Sequence, residues 1–190
     1  AGVYQALRWY GDEAVTSSTR RRIRKPVAGS MLVGLRDDFA TPVAITQLMS
    51  VDYTTGEITF DVNTNRAVTL ITQAAQAVAT IGSGHGLVAG DSVHFSGVVG
   101  MTEINGLRGI IQATNTTTIT VDIDSALFTA YSSGGAVNTQ PQINEIVTCG
   151  CQFDIPMRFE TDLSGVAYIS RNKSDLIMGA NVRLIEVLNP

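Results

Sequence analysis

The sequence predicts an all-β chain in which a β-sandwich-like domain is interrupted by an inserted small β-barrel. Three observations predict it. Gly, Thr, Ser and Asn punctuate the chain at roughly 8–12-residue intervals, the spacing of sandwiches and barrels, and the segments between them are rich in Val, Ile, Thr and aromatics. No segment sustains apolar residues at i, i+3, i+4, i+7 for three turns between caps, so little helix is expected. Finally, the composition shifts between about Leu70 and Asn138, a Gly-, Ser- and Thr-rich stretch whose only Arg or Lys is Arg108.

The elements follow in order. Arg20-Arg21-Arg22-Ile23-Arg24-Lys25-Pro26 is the one charge run; Arg and Lys on a strand edge discourage unwanted pairing, and Pro26 ends the run with an extended step. Ser50–Phe60 predicts a hairpin, with Val51/Tyr53 and Ile58/Phe60 alternating around Thr54-Thr55-Gly56 and Gly56 supplying the left-handed residue. Val68–Ile81 is rich enough in Ala and Gln to rival a helix, but its Thr, Val and Ile favour strand. A second hairpin is expected from Gly109–Ala113, a polar turn at Thr114–Thr117, and Ile119, Val121 and Ile123 alternating with polar residues. Polar linkers bound the charge-poor stretch, Asn63-Thr64-Asn65 before it and Asn138-Thr139-Gln140-Pro141 after it. Residues 1–68 and 140–190 are therefore read as one discontinuous domain and 69–139 as an insert, of the kind exposed loops accept at little cost.

Composition narrows the functional classes. At 190 residues, 44% hydrophobic and 16% charged, the chain lies far from the signature of disorder, and it is long enough for one good core or two small ones. A formal charge of −4 argues against a surface built mainly for nucleic acid or anionic lipid. Ala1–Trp9 shows no secretory pattern, and the longest charge-free stretch, Ala67–Gly90, is too broken by Thr, Gln, Ser and Gly to be a membrane-spanning helix. Neither nucleic acid nor membrane is expected as a partner.

Candidate chemistry is sparse. Cys149 and Cys151, two apart on a strand, would share a face about 6.6 Å apart, too far for a disulfide unless Gly150 bulges. His85 and His94 lie far from them without a paired spacing, so no metal site is expected. His85 sits at a turn, where Ser83 and Asp91 make only a loose suggestion of a triad. The Gly-rich pieces around Gly82–Gly86 and Gly134-Gly135 lack the Lys and the strand-to-helix context of a phosphate loop. Asp154, Glu160 and Asp162 could pair as glycosidase carboxylates do, but Arg158 shares the parity of the last two as a counter-charge. No catalytic, cofactor or metal-binding residue is assigned. The candidate subunit-interface residues are Arg22, Arg24, Lys25, Arg158, Glu160 and Asp162, and Phe128 and Tyr131 are candidate exposed-loop contacts of the insert.

Two stretches resemble known families. Ile23-Arg24-Lys25-Pro26-Val27-Ala28-Gly29, Val51–Phe60, Cys151–Asp162 and Arg183–Val187 resemble, in order and spacing, the C-terminal half of the distal tail proteins of tailed phages and gene transfer agents. His85–Val93, Ser96–Gly106 and Phe128–Gly135 resemble a small β-barrel module of phage tail proteins, similar to the first catalytic-cysteine half-domain of ubiquitin-activating enzymes. Such modules carry no catalytic cysteine, and this stretch has none. The resemblance implies a non-enzymatic virion component, made in the bacterial cytoplasm and placed at the tail tip. It would form a ring of copies, a hexamer in the full-length protein, and link the tail tube to the hub and host-recognition apparatus. The family's N-terminal ring-forming region has no counterpart in these residues. The alternative is a carbohydrate-binding or adhesin module in which residues 69–139 meet a host surface glycan. Against it, the insert has no Trp and offers only Phe95, Phe128 and Tyr131 as rings.

Overall fold

The computed structural model describes residues 2–10, 19–37, 41–155, 157–160 and 184–187. In chain order the strands are β1 (Val3–Gln5), β2 (Leu7–Tyr10), β3 (Thr19–Arg22), β4 (Leu32–Asp37), β5 (Val43–Ile45), β6 (Met49–Asp52), β7 (Glu57–Phe60), β8 (Asn65–Ala67), β9 (Leu70–Ile71), β10 (Val78–Thr80), β11 (Ser92–Val99), β12 (Arg108–Thr114), β13 (Thr118–Val121), β14 (Ser133–Asn138), β15 (Glu145–Gly150), β16 (Met157–Phe159) and β17 (Leu184–Glu186). A 3-10 turn at Thr102–Ile104 is the only helical piece among the described residues. The chain is all-β, as the turn spacing predicts.

The outer segments build small sheets around one core. β1-β7-β6 and β15-β4-β5 are three-stranded, while β2-β3 and β16-β17 are two-stranded ribbons. Val33 and Leu35 of β4, Ile45 of β5 and Ile58 and Phe60 of β7 bury together with Ala6, Ile23 and Met31 in a sandwich-like core. The predicted hairpin is β6–β7, with Val51 opposite Ile58. Asp52 starts its turn by accepting the N–H groups of Thr54 (2.7 Å) and Thr55 (3.3 Å), an Asx-type turn. Gly56 ends it at φ 74°, and a Cβ there would lie 2.0 Å from the Ile23 carbonyl oxygen, so both conformation and space require glycine. Tyr53 sits in this turn and is exposed, so the alternation reaches Val51 and stops.

Residues 65–138 build a sheet in the order β8-β14-β11-β12-β13-β10-β9. Its two end strands are one stretch of chain. Asn65–Ala67 pairs with β14, and the Val68 N–H continues that ladder to Gly135 O. The Thr69 N–H then bonds Thr80 O, and β9 pairs with β10. Segment 65–71 thus closes the sheet into a barrel, and a bulge between Ile111 and Ala113 helps it turn. Val93, Phe95, Met101, Ile104, Ile119, Val121 and Val137 fill the interior with no exposed surface. The barrel begins at Asn65, ahead of the boundary expected at 69, because β8 is needed to seal it; Val68 accordingly packs in the barrel core. The stretch with a helical rival is two short strands, β9 and β10, joined by a bend.

Candidate functional site

The most elaborate arrangement of side chains among the described residues is the seam between barrel and outer module. In β11, β12 and β14 the odd-numbered Val93, Phe95, Ile111 and Val137 point inward. The even-numbered His94, Arg108 and Asn138 share the outer face, with His94 opposite both of the others. An exterior barrel face is ordinarily wet. Here Ser92, His94, Arg108 and Asn138 are all buried, each less than a tenth exposed, because the chain after the barrel folds across them.

Arg108 anchors the seam. Its guanidinium grips Glu145, at the start of β15, in a two-pronged pair: Nε donates to Oε1 (2.6 Å) and Nη2 to Oε2 (2.8 Å). Both side chains are 3% exposed. Nη1 donates to Ser92 Oγ and Thr139 O, each at 3.1 Å, and Nη2 to Gln140 O at 2.9 Å, so every guanidinium N–H has an acceptor. The Gln142 N–H completes the Glu145 side by donating to Oε2 at 2.7 Å. Burial alone would raise the Glu145 pKa. The hydrogen bond and charge of Arg108, with Gln142 and His94, outweigh it and hold the carboxyl below its usual 4.5.

A second tie sits at the two crossing points of the chain. Asn63 Oδ1 accepts the N–H groups of Thr139 (3.0 Å) and Gln140 (3.1 Å), and its Nδ2 donates to Asn138 Oδ1 (3.0 Å). Asn65 Nδ2 donates to the same oxygen at 2.6 Å, and the Thr64 N–H donates to Thr139 Oγ1 at 2.9 Å. The linkers read from composition are therefore cross-bonded and not slack. A third contact places Gln47 over Gly90, whose φ of 95° and lack of a Cβ admit the amide; a Cβ would come within 2.8 Å of Gln47 Nε2. The groups of this seam are committed to one another, so its chemistry is to hold two modules in one geometry.

His94 is the exception within it. Its Nδ1 is buried without a hydrogen-bond partner. Burial lowers its pKa below 6.5; Glu145 and Asp37 oppose that shift and Arg108 reinforces it.

The sequence-predicted residues are spread elsewhere. Arg22 is exposed on β3 opposite Leu7, and Arg24 is half-buried. Lys25 is exposed at φ 51°, and its carbonyl accepts the Asp154 N–H at 3.1 Å beside a bridge between Pro26 and Phe153. Arg158 is exposed on β16 opposite Ile185, and Glu160 is exposed just beyond. Asp162 lies outside the described residues. The basic run and the β16–β17 ribbon do meet, through a salt bridge between Arg21 and Glu186.

Phe128 and Tyr131 differ from the exposed placement expected of them. Both rings are half-buried and pack against the barrel core. The Tyr131 hydroxyl lies 3.0 Å from the carbonyl oxygens of both Val68 and Gly134, and Gln73 Nε2 donates to the Phe128 carbonyl at 2.5 Å. The physical reason is a loop that folds back: a Cβ on Gly100 would lie 2.4 Å from Ala130 O.

His85 is buried in its turn, with Nδ1 accepting the Leu87 N–H (3.1 Å) and Nε2 2.9 Å from Asn115 O. Asp91 accepts the Val88 N–H, and Ser83 is exposed. Both cysteines are free and half-buried, and burial raises the pKa of each. Among the described residues no group of three His, Cys, Asp or Glu could hold a metal ion, and no helix is long and apolar enough to cross a membrane.

Barrel closure, the buried core and the covered exterior face define a module that can be compared with known ones. Residues 74–140 match the family model of the ubiquitin-activating enzyme E1 FCCH domain. The match spans about a third of the chain and omits segment 65–71, which closes the barrel. That domain is a non-catalytic part of E1 enzymes, and the matched stretch here contains no cysteine. No curated protein matches the chain.

Sequence reasoning missed the seam. The signal available was Arg108 itself, the lone cation of a module that also holds Asp91, Glu103, Asp122 and Asp124, so composition marked the residue and not its partner.

Proposed function

We propose that this chain is a structural, non-enzymatic component of the tail tip of a tailed phage, prophage or gene transfer agent. In this reading it is a distal tail protein that joins tail tube to hub and host-recognition apparatus and works as a ring of copies. The observation that carries the reading is the fully bonded Arg108–Glu145 pair between the two modules. A buried ion pair adds little net stability over apolar packing, but breaking it is costly, so it suits a joint that must keep one orientation. A connector that passes force from one module to the other needs such a joint; a tethered binding module does not. The motifs of the outer segments, in family order, supply the tail assignment, and the half-buried Phe128 and Tyr131 weigh against a sugar platform on the barrel.

Electron microscopy of virions carrying an epitope in the exposed barrel turn 115–117 tests the reading. Antibody density ringing the tail tip is expected. Density on the capsid or along the tail shaft, or virions without the epitope, would contradict it.

A further inference from the structure

His94 occupies a position that stability alone does not explain. It lies on the covered exterior face of the barrel, opposite Arg108 on one neighbouring strand and Asn138 on the other. The charged groups facing it are Arg108 from β12, Glu145 from β15 and Asp37 from β4, which is opposite Glu145 in the β15–β4 ladder. The two Glu145 oxygens already accept from Arg108 and the Gln142 N–H. His94 Nδ1 has no partner. An imidazolium must donate from both ring nitrogens. With the neutral ring's hydrogen on Nε2, a proton taken up at Nδ1 would create a buried N–H lacking an acceptor, and would set a second positive charge beside a guanidinium whose single counter-ion is fully engaged.

We propose that the seam is an acid-released latch: uptake of a solvent proton by His94 breaks the docking of the barrel on the outer module, while each module stays folded. The barrel suits this role because its ladder closes on itself and its core is separate from the outer one. The neck at Asn63–Asn65 and Asn138–Gln140 would then become the hinge.

The sign follows from linkage. Docking favours neutral His94, so the undocked state binds more protons once pH falls below 6.5, and docking weakens from there down to the lower docked pKa. Glu145 acts in a separate window. Its docked pKa is depressed, so its contribution is present above 4.5 and is lost as pH falls through the docked value beneath it. Release by His94 therefore precedes release by Glu145 on acidification. This latch does not depend on the tail assignment.

Backbone ¹⁵N relaxation of the full chain tests it by reporting one tumbling time for a rigid body and separate times for bodies that move apart. At about pH 7.5 barrel and outer-module amides are expected to share one correlation time. At about pH 5 they are expected to diverge, each shortening toward the value for its own mass, and the wild-type change should follow the titration of the His94 ring protons. H94N should keep a single correlation time at both pH values. A single time for the wild type at pH 5, or a divergence in H94N equal to that of the wild type, would overturn the latch. Where H94N does not fold, the wild-type comparison decides alone: divergence at a pH away from the His94 midpoint overturns the proposal.

Discussion

The barrel closes on itself, and the outer module does not. Segment 65–71 bonds both ends of the barrel sheet, so its ladder lacks a free edge, and its interior residues are sealed. The outer module is divided among short sheets, while half-exposed apolar residues occur on both, Leu32, Met157, Phe159 and Leu184 on the outer module and Leu70, Val88, Val99 and Leu127 on the barrel. Open sheet edges are a feature that assembly can use, and it is in its edges that the outer module differs from the closed barrel. Each module's stability therefore has a different source. The barrel draws on its own core, and the seam transmits that rigidity to a module with less of its own.

The seam gives the largest test of that contrast. R108L removes the guanidinium and leaves Glu145 buried without a counter-charge, which is expected to cost about 3–5 kcal/mol in denaturant unfolding near neutral pH. A loss below about 1 kcal/mol, the value of an exposed pair, would mean that the modules merely touch. The same unfolding measured against pH should show stability falling as pH drops below 6.5, through His94, and again below 4.5, through Glu145. E145Q should shrink the second fall, leaving the part that the depressed carboxyls of Asp52 and Glu103 contribute.

Next in size is Gly56→Ala, which drives a Cβ toward the Ile23 carbonyl at a left-handed residue and is expected to cost about 2–3 kcal/mol. Hydrogen exchange should show this loss in the outer module, with barrel amides such as Phe95 and Val121 still protected. Equal loss of protection in both would break the contrast, since the barrel would then depend on its neighbour.

These tests also mark what the sequence made visible. The hairpin at 50–60 could be read because its determinants are local: an Asp that caps the turn, a Gly that ends it and a period-two pattern on either side. The barrel was legible for the same reason, strand by strand. The seam joins Ser92, Arg108, Thr139, Gln140 and Glu145, residues whose meeting depends on how two modules dock, and no local pattern encodes that. Arg108 stood out by composition, but its partner did not. A polar, Gly-rich loop suggests exposure for Phe128 and Tyr131, while the close approach of Gly100 to Ala130 turns the loop back and leaves both rings half-buried. Residues 65–67 read locally as part of the outer segments, and their pairing with β14 is not visible there because barrel closure is a property of the whole sheet.

Smaller effects sharpen the picture. Tyr131→Phe removes a hydroxyl that lies 3.0 Å from two carbonyl oxygens at the barrel's closing strand, an expected loss of about 1 kcal/mol in barrel unfolding. No change would indicate that water replaces the contact. Smallest is Arg22→Ala, which should alter unfolding of the isolated chain by less than about 0.5 kcal/mol because the residue is exposed. If Arg22 belongs to a subunit interface, its effect should instead appear as weaker self-association in analytical ultracentrifugation of the full-length protein.

A double-mutant cycle across the seam measures the coupling of the two modules, with R108L, E145L and the double variant unfolded by denaturant at about pH 7.5. A joint that locks the two modules predicts that the double variant loses less stability than the sum of the single losses, by about 1–3 kcal/mol. Losses that add to within about 0.5 kcal/mol would show that Arg108 and Glu145 do not hold the modules together.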